Sequence, residues 1–326
     1  MKISPAKYFK TLERPDILNQ LFLIFITCII IINYDKIPGS LIYIALNIVL
    51  TLVIIFVTSK YAREKYQTPA IRHSFKVFRY WYPIITILFY FKEIYVIMIS
   101  VEKNIFDAYL IYADRFIFGV NPTEVLSKIS NPYLTEFLQI VYCIFYLLPV
   151  IYGLELYLWK RYEEFKYAMF LILLGFYLSF VGYLILPAVG PRFTLHDFSS
   201  LSLELPGVWL TDYIRTIINY GESIYPSEMK YAINVAQRDA FPSGHTIIIV
   251  CITYLSYKFK SKSFRFYLPY LPLLMFATVY LRYHYVIDVI SGFLVAVISI
   301  LIANFIFRNK NLTPEPLLSK INRELK

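Results

Sequence analysis

Apolar residues run along this chain in long unbroken blocks, not in alternation, and short polar stretches separate them. Eight such blocks stand at 17–32, 41–58, 80–100, 134–158, 167–186, 242–257, 266–281 and 285–307. Continuous runs of this kind predict helices that cross a bilayer, where backbone groups must be hydrogen-bonded within their own segment. Two of the blocks fall short of the roughly 20 residues a lone span needs, so their ends rest in protein or at the interface. The pattern therefore predicts an all-α fold, a polytopic transmembrane helix bundle of about eight spans. It divides into a segment 1–79 with two accessory helices and a basic cytoplasmic loop, a six-helix domain 80–307, and a basic tail 308–326. No internal repeat or low-complexity stretch breaks this plan.

Two of the intervening loops, 101–133 and 188–241, are long and fall on the same side of the bundle. Loops of that length within a compact domain contain helices of their own. Asn121, Pro122 and Glu124 place a capping residue, a proline and an acid where a helix begins. Farther on, Val208, Trp209, Tyr213, Ile214, Ile217 and Ile218 leave Asp212, Arg215 and Asn219 largely opposite. This predicts an amphipathic helix, lying in the membrane interface or packed on the bundle.

Composition agrees with the bilayer. With 58% hydrophobic and 17% charged residues among 326, a soluble domain is excluded. The net charge of +10 raises the question of nucleic acid, but the placement of the cations answers it. With a cytoplasmic N-terminus, 22 of the 32 Lys and Arg residues fall on inner segments, nine outside, and Lys92 within a span. Lys2, Lys7, Lys10 and Arg14 precede the first span, six cations from Lys60 to Arg79 follow the second, and the tail carries Lys310, Lys320, Arg323 and Lys326. That asymmetry obeys the positive-inside rule, predicts both termini in the cytoplasm, and makes nucleic-acid binding unnecessary. Cys28, Cys143 and Cys251 sit inside apolar runs and read as small hydrophobes. No small-x-small cleavage site follows the first span, which reads as a retained helix and not a signal peptide.

Three short stretches carry reactive side chains, and this topology puts them all outside: Gly190-Pro191-Arg192, Phe241-Pro242-Ser243-Gly244-His245, and Arg282 through Asp288. His284 and Asp288 are four apart, so on a helix they share a face and the carboxylate can hold one imidazole nitrogen. Pro242 suits a first helical position, which would leave the amides of Ser243, Gly244 and His245 free for phosphate oxygens. Gly244 keeps side chains out of the way, Ser243 adds a donor, His245 can protonate a leaving oxygen, and Arg192 offers a planar cationic fork. Each stretch alone has an ordinary explanation: a solvated His and Asp pair, a plain helix start, an arginine snorkelling to head groups. Their convergence is what points to chemistry.

Pro-Ser-Gly-His at 242–245, a downstream His-x-x-x-Asp at 284–288 and an upstream Arg192 near a proline resemble the type 2 phosphatidic acid phosphatase superfamily. The resemblance covers the last six helices, a lipid-phosphatase-like core. It implies that His284 attacks phosphorus to give a phosphohistidine, Asp288 orients it, and His245 is the acid. Arg192, Ser243 and Gly244 then hold the phosphoryl oxygens, with no metal or other cofactor. Two family cations are replaced, a Lys by Ile185 and an Arg by Thr278, and Pro191 precedes the arginine where the common pattern has it following. These departures, with Asp114 through Pro122, are similar to the branch that includes inositol phosphorylceramide synthases. Arg282 and Arg238 are the nearest candidates to supply the absent charge, and His196 and Asp197 are candidates to line the cavity.

The expected function is that of a membrane enzyme hydrolysing a lipid phosphate at the outer face, the periplasmic side of the inner membrane if the cell is bacterial. One alternative is a phosphotransferase that passes a head group, the phosphoryl group with its bound moiety, to or from inositol or another alcohol. Another is a transporter or non-catalytic scaffold. The expected partners are a lipid phosphate and membrane lipids; oligomeric state is not legible.

Overall fold

The computed structural model describes residues 11–61, 68–102 and 104–308. Lys2, Lys7 and Lys10, and the tail cations from Lys310 to Lys326, lie outside the described residues. Among those described, helices carry almost all the secondary structure, with one isolated bridge between Ala188 and Asp239. The long helices are α1 (Arg14–Ile32), α2 (Ser40–Tyr61), α3 (Pro69–Val101), α6 (Pro132–Ile144), α7 (Leu148–Leu158), α8 (Tyr162–Ile185), α10 (Gly244–Lys258), α11 (Phe264–Tyr280) and α12 (Val286–Ile306). Three further helices, α4 (Asp107–Phe118), α5 (Pro122–Ser127) and α9 (Thr211–Gly221), lie in the two long loops at one end.

Six segments are long and apolar enough to cross a membrane: α1, α2, α3, α6 with α7, α8 and α12. The two shorter members, α10 with 15 residues and α11 with 17, reach only about 22–26 Å at 1.5 Å per residue. Protein takes the place of lipid around most of α10 and around the C-terminal end of α11. Helix α8 lies at the centre against α1, α3, α7, α10 and α12, and it buries residues on every side. Helix α10 is likewise sheathed, by α8, α11 and α12. Helix α2, by contrast, packs on α1 and α3 and leaves most of its apolar surface outward, where lipid replaces protein.

Two boundaries differ from the apolar pattern. Helix α3 starts at Pro69, so the division drawn at 79/80 falls inside it. The helix begins where its cap is: Thr68 Oγ1 accepts from the Ile71 amide and Pro69 supplies the first position, although 70–79 is too polar to register as an apolar run. The block at 134–158 is in fact two helices joined by a 3₁₀ turn at Phe145–Leu147. Pro149 has no amide hydrogen to return to the Phe145 carbonyl, so the ladder breaks there.

The accessory helix α1 is fastened to the core by buried polar groups. Asp16 pairs with Arg79 and accepts from the Tyr82 hydroxyl at 2.6 Å. One turn on, Asn19 Oδ1 accepts from Thr86 (2.8 Å) and Tyr177 (2.6 Å), while its amide donates to Tyr90 (3.2 Å). Phe22 stacks on Tyr177 with ring centroids 4.0 Å apart. In an apolar surround these bonds fix one register, because any slip strands a charge or an amide.

Arg79→Ala leaves the Asp16 carboxylate buried without its cation, and we expect a loss of about 3–5 kcal/mol in unfolding titrations in detergent. The double variant Asp16→Leu/Arg79→Leu is expected to recover most of that; equal losses in the two would mean the ion pair is not what holds α1.

Candidate active site

The three reactive stretches meet at the end of the bundle that carries α4, α5 and α9. Helix α10 begins with Ser243 as N-cap, its Oγ accepting from the Thr246 amide at 3.3 Å. Pro242 is therefore one residue outside the helix, not its first residue, because its ring packs into the space that Gly182 leaves open. The Ser243 amide is already committed to the Asp288 carbonyl at 3.0 Å. Only the amides at Gly244 and His245 keep the role expected for all three. Gly244 also has a packing reason: a Cβ there would stand 2.7 Å from the Tyr183 hydroxyl.

His284 lies just before α12, not within it, so its relation to Asp288 is not that of two residues on one helical face. Its Nδ1 is 2.8 Å from the Ala240 carbonyl oxygen and 3.5 Å from Asp288 Oδ2. A carbonyl can only accept, so Nδ1 carries the proton and Nε2 presents a lone pair. The Ala240 carbonyl is thus the principal orienting group. Asp288 Oδ2 accepts mainly from the Tyr285 amide at 2.8 Å, closing the first turn of α12, and the imidazole is its weaker partner. Nε2 of His284 stands 3.1 Å from Nδ1 of His245, which must be the donor in that bond; His245 Nε2 is buried without a protein partner.

Aromatic rings set the walls. His245 lies against Phe145 and Tyr142, centroids 4.2 and 4.5 Å away, so the break between α6 and α7 falls opposite the imidazole. Tyr142 stacks on Tyr283 at 4.1 Å, and the Arg192 guanidinium covers the other ring at 4.6 Å to its centroid. Arg192 is buried, forms an ion pair with Glu222, and reaches Asn219 Oδ1 at 3.4 Å. The turn before it depends on Gly190, whose φ of 92° suits glycine and whose missing Cβ would meet the Tyr283 carbonyl oxygen at 2.7 Å.

Both substitute cations have acceptors of their own. Arg282 pairs with Glu204, beside His196, and Arg238 donates to the Glu102 carbonyl. Position 185, where the resemblance places a lysine, faces outward at 72% exposure. His196 bonds Thr123 Oγ1 at 3.0 Å, and Asp197 caps the turn at Ser199, so neither is held by the histidine pair. Lys92 has left the apolar part of α3 to bond the Gly221 carbonyl (2.6 Å) and Ser223 (3.2 Å), flanking Glu222.

Sequence reasoning missed Asp239. It sits between Arg238 and the Ala240 carbonyl, and burial pushes its carboxyl up while His284 and Arg192 oppose that rise. Burial holds His284 down at about 4, and Asp239 pulls the other way. His284 is therefore neutral at physiological pH and becomes an imidazolium only as pH falls through about 4. No motif marks Asp239, Glu222 or Asn219; only the folding of the 188–241 loop brings them here.

The arrangement offers a neutral nitrogen nucleophile, a second imidazole in contact with it, a buried arginine and two helix-start amides. A profile of the PAP2 superfamily matches residues 109–302, well over half of the chain. The chain belongs to the PAP2 superfamily. No curated protein and no solved structure matches it. Membership supports phosphatase or phosphotransferase chemistry and, with the apolar helices, an integral membrane protein.

Two measurements check this geometry. Arg192→Ala is expected to weaken orthovanadate binding at least tenfold, roughly 1.4 kcal/mol, while Arg282→Ala and Arg238→Ala bind it as the wild type does. In ¹⁵N spectra of histidine-labelled protein, the His284 signals should keep the neutral Nδ1–H pattern down to about pH 5 and change only near 4; a change near 6.5 would contradict the burial argument.

Proposed function

We infer that this protein cleaves a phosphate monoester on a membrane lipid by way of a phosphohistidine on His284. The observation that carries the reading is the Nδ1–Ala240 hydrogen bond, which leaves Nε2 of His284 unprotonated beside His245 and near a buried arginine. The contact between the two imidazoles, at 3.1 Å, is too close to hold a phosphoryl group between them, so it opens as substrate arrives. A bound phosphate favours the cationic form of the neighbouring imidazole, and His245 takes up a second proton and becomes an acid.

The lone pair of His284 Nε2 then forms the bond to phosphorus while the ester P–O bond breaks, and the leaving oxygen takes a proton from His245. Arg192, the Gly244 and His245 amides and the Ser243 hydroxyl spread the charge on the equatorial oxygens. In the second half, water gives its proton to His245 and attacks phosphorus, the P–N bond breaks, and His284 regains its lone pair. The Lys and Arg distribution supports placing this end of the bundle outside, with both termini in the cytoplasm. If an alcohol such as inositol replaces water in the second half, the same residues perform a transfer; the likeness of 114–122 to the inositol phosphorylceramide synthase branch favours keeping that reading.

Purified protein incubated with labelled lipid phosphates is expected to release inorganic phosphate, and His284→Ala to lose at least about 10³-fold in rate, the scale of losing a nucleophile. Acid-labile, base-stable label should accumulate on the wild type and be absent from His284→Ala. Labelled inositol phosphate formed only when inositol is present would replace hydrolysis by transfer of the same phosphoryl group. Equal turnover by wild type and His284→Ala would sink the mechanism.

A further inference from the structure

The helix α4 lies outside the apolar core, yet it touches both halves of the site. Its buried residues are Asp107, Leu110 and Asp114, spaced three and four apart on one face, while Tyr109, Tyr112 and Phe116 point outward. Asp114 spreads its carboxylate over the start of α12: Oδ2 accepts from the Val286 amide at 2.9 Å and Oδ1 from the Ile287 amide at 2.8 Å. These are the first two amides of the helix and lack intrahelical partners. The residue in the N-cap position is Tyr285, which offers no short side chain to fold back on them. A cap ordinarily supplied by the helix itself comes here from another element.

Two turns earlier, Asp107 does the same for the arginine segment. Its Oδ2 accepts from the Val189 amide at 3.0 Å and its Oδ1 from Gly190 at 2.8 Å, ahead of Arg192. The same Oδ1 accepts from the Tyr285 hydroxyl at 2.9 Å, and that hydroxyl lies 2.6 Å from Thr194 on the arginine turn. Leu110, between the two acids, packs with Ala188, Ala240 and Tyr285. Those contacts reach all three strands of the site, including the carbonyl that orients His284. Burial pushes both carboxyls up, and the amides they accept from pull them back, as expected of carboxylates held for their acceptor capacity.

We propose that Asp114 and Asp107 are positioning residues, and that α4 is a rigid spacer fixing the His284 segment against the Arg192 turn. This rests on His284 being the nucleophile. Two carboxylates on a single helix, seven residues apart, hold five donors from the two segments, so the separation of nucleophile and arginine is set by the pitch of α4. Neither acid touches the phosphoryl group; both act through the backbone they grip.

The test is orthovanadate affinity and phosphoenzyme formation in detergent, well below the melting midpoint of each variant. We expect Asp114→Ala to weaken vanadate at least tenfold and to slow labelling of His284 by a similar factor. Asp114→Asn, whose single carbonyl oxygen can serve one of the two amides, should fall between it and wild type. Arg79→Ala, destabilised at the far end of the bundle, is expected to keep wild-type vanadate affinity, which separates positioning from a general loss of stability. If Asp114→Ala does not fold, Asp114→Asn decides: weaker vanadate supports the spacer, and unchanged affinity overturns it. Folded Asp114→Ala with wild-type affinity and labelling rate overturns it outright. An inactive His284→Ala beside fully active Asp114 variants defeats the spacer alone, whereas an active His284→Ala defeats the reading of the site beneath it.

Discussion

The hydrogen bond from His284 Nδ1 to the Ala240 carbonyl decides which imidazole nitrogen faces His245, and most of the surrounding structure serves to keep its two ends in place. A carbonyl can hold a tautomer only if its own strand is fixed. Residue 240 is tied down by its amide, which donates to the Ala188 carbonyl at 3.0 Å, next to the turn that carries Arg192. The other end is fixed by the His284 amide, which donates to Thr278 O at 3.1 Å on α11. His284 is therefore suspended between a loop and a helix end. Its orientation is a property of the whole loop cluster, with the Asp288 carboxylate as the more distant partner at 3.5 Å.

Buried carboxylates recur as fasteners for irregular backbone. Glu136 on α6 gathers the amides of Val208, Trp209, Leu210 and Thr211 at the start of α9, and the far end of that helix presents Asn219 to Arg192. Helix α9 turns Arg215 and Ile218 inward, Arg215 to the Leu205 carbonyl at 2.7 Å and Ile218 onto the core, and leaves Tyr213 and Ile217 exposed. Non-helical backbone at the end of a membrane bundle has amides to satisfy and little water to satisfy them, so acids on neighbouring helices take the place of solvent.

The helical blocks were legible in the sequence because continuous apolarity and length leave few alternatives, and His245, His284 and Arg192 were legible because their spacing is distinctive. What the pattern could not give follows from contacts across the chain. Helix α3 begins in a polar stretch, so apolarity started it eleven residues late. Four-residue spacing made Asp288 the partner of His284, and it lies 3.5 Å away, but the helix starts after the histidine and a main-chain carbonyl, invisible in sequence, is the nearer partner. Arg282 and Arg238 stood nearest in sequence, and each guanidinium has an acceptor that only the fold supplies, Glu204 for Arg282 and the Glu102 carbonyl at the end of α3 for Arg238. Asp114 was visible as part of a motif, and only the fold tells what it holds.

Glu222, finally, occupies the guanidinium of Arg192. An incoming anion meets a cation already neutralised by a carboxylate, so its affinity is the difference between two ion pairs and not the strength of one. Such an exchange discriminates by charge density: a compact dianion gains more from the guanidinium than the carboxylate loses, whereas a singly charged diester gains little. On the proposed reading, an arginine held in this way would favour a terminal phosphate over the diester head groups of the surrounding bilayer.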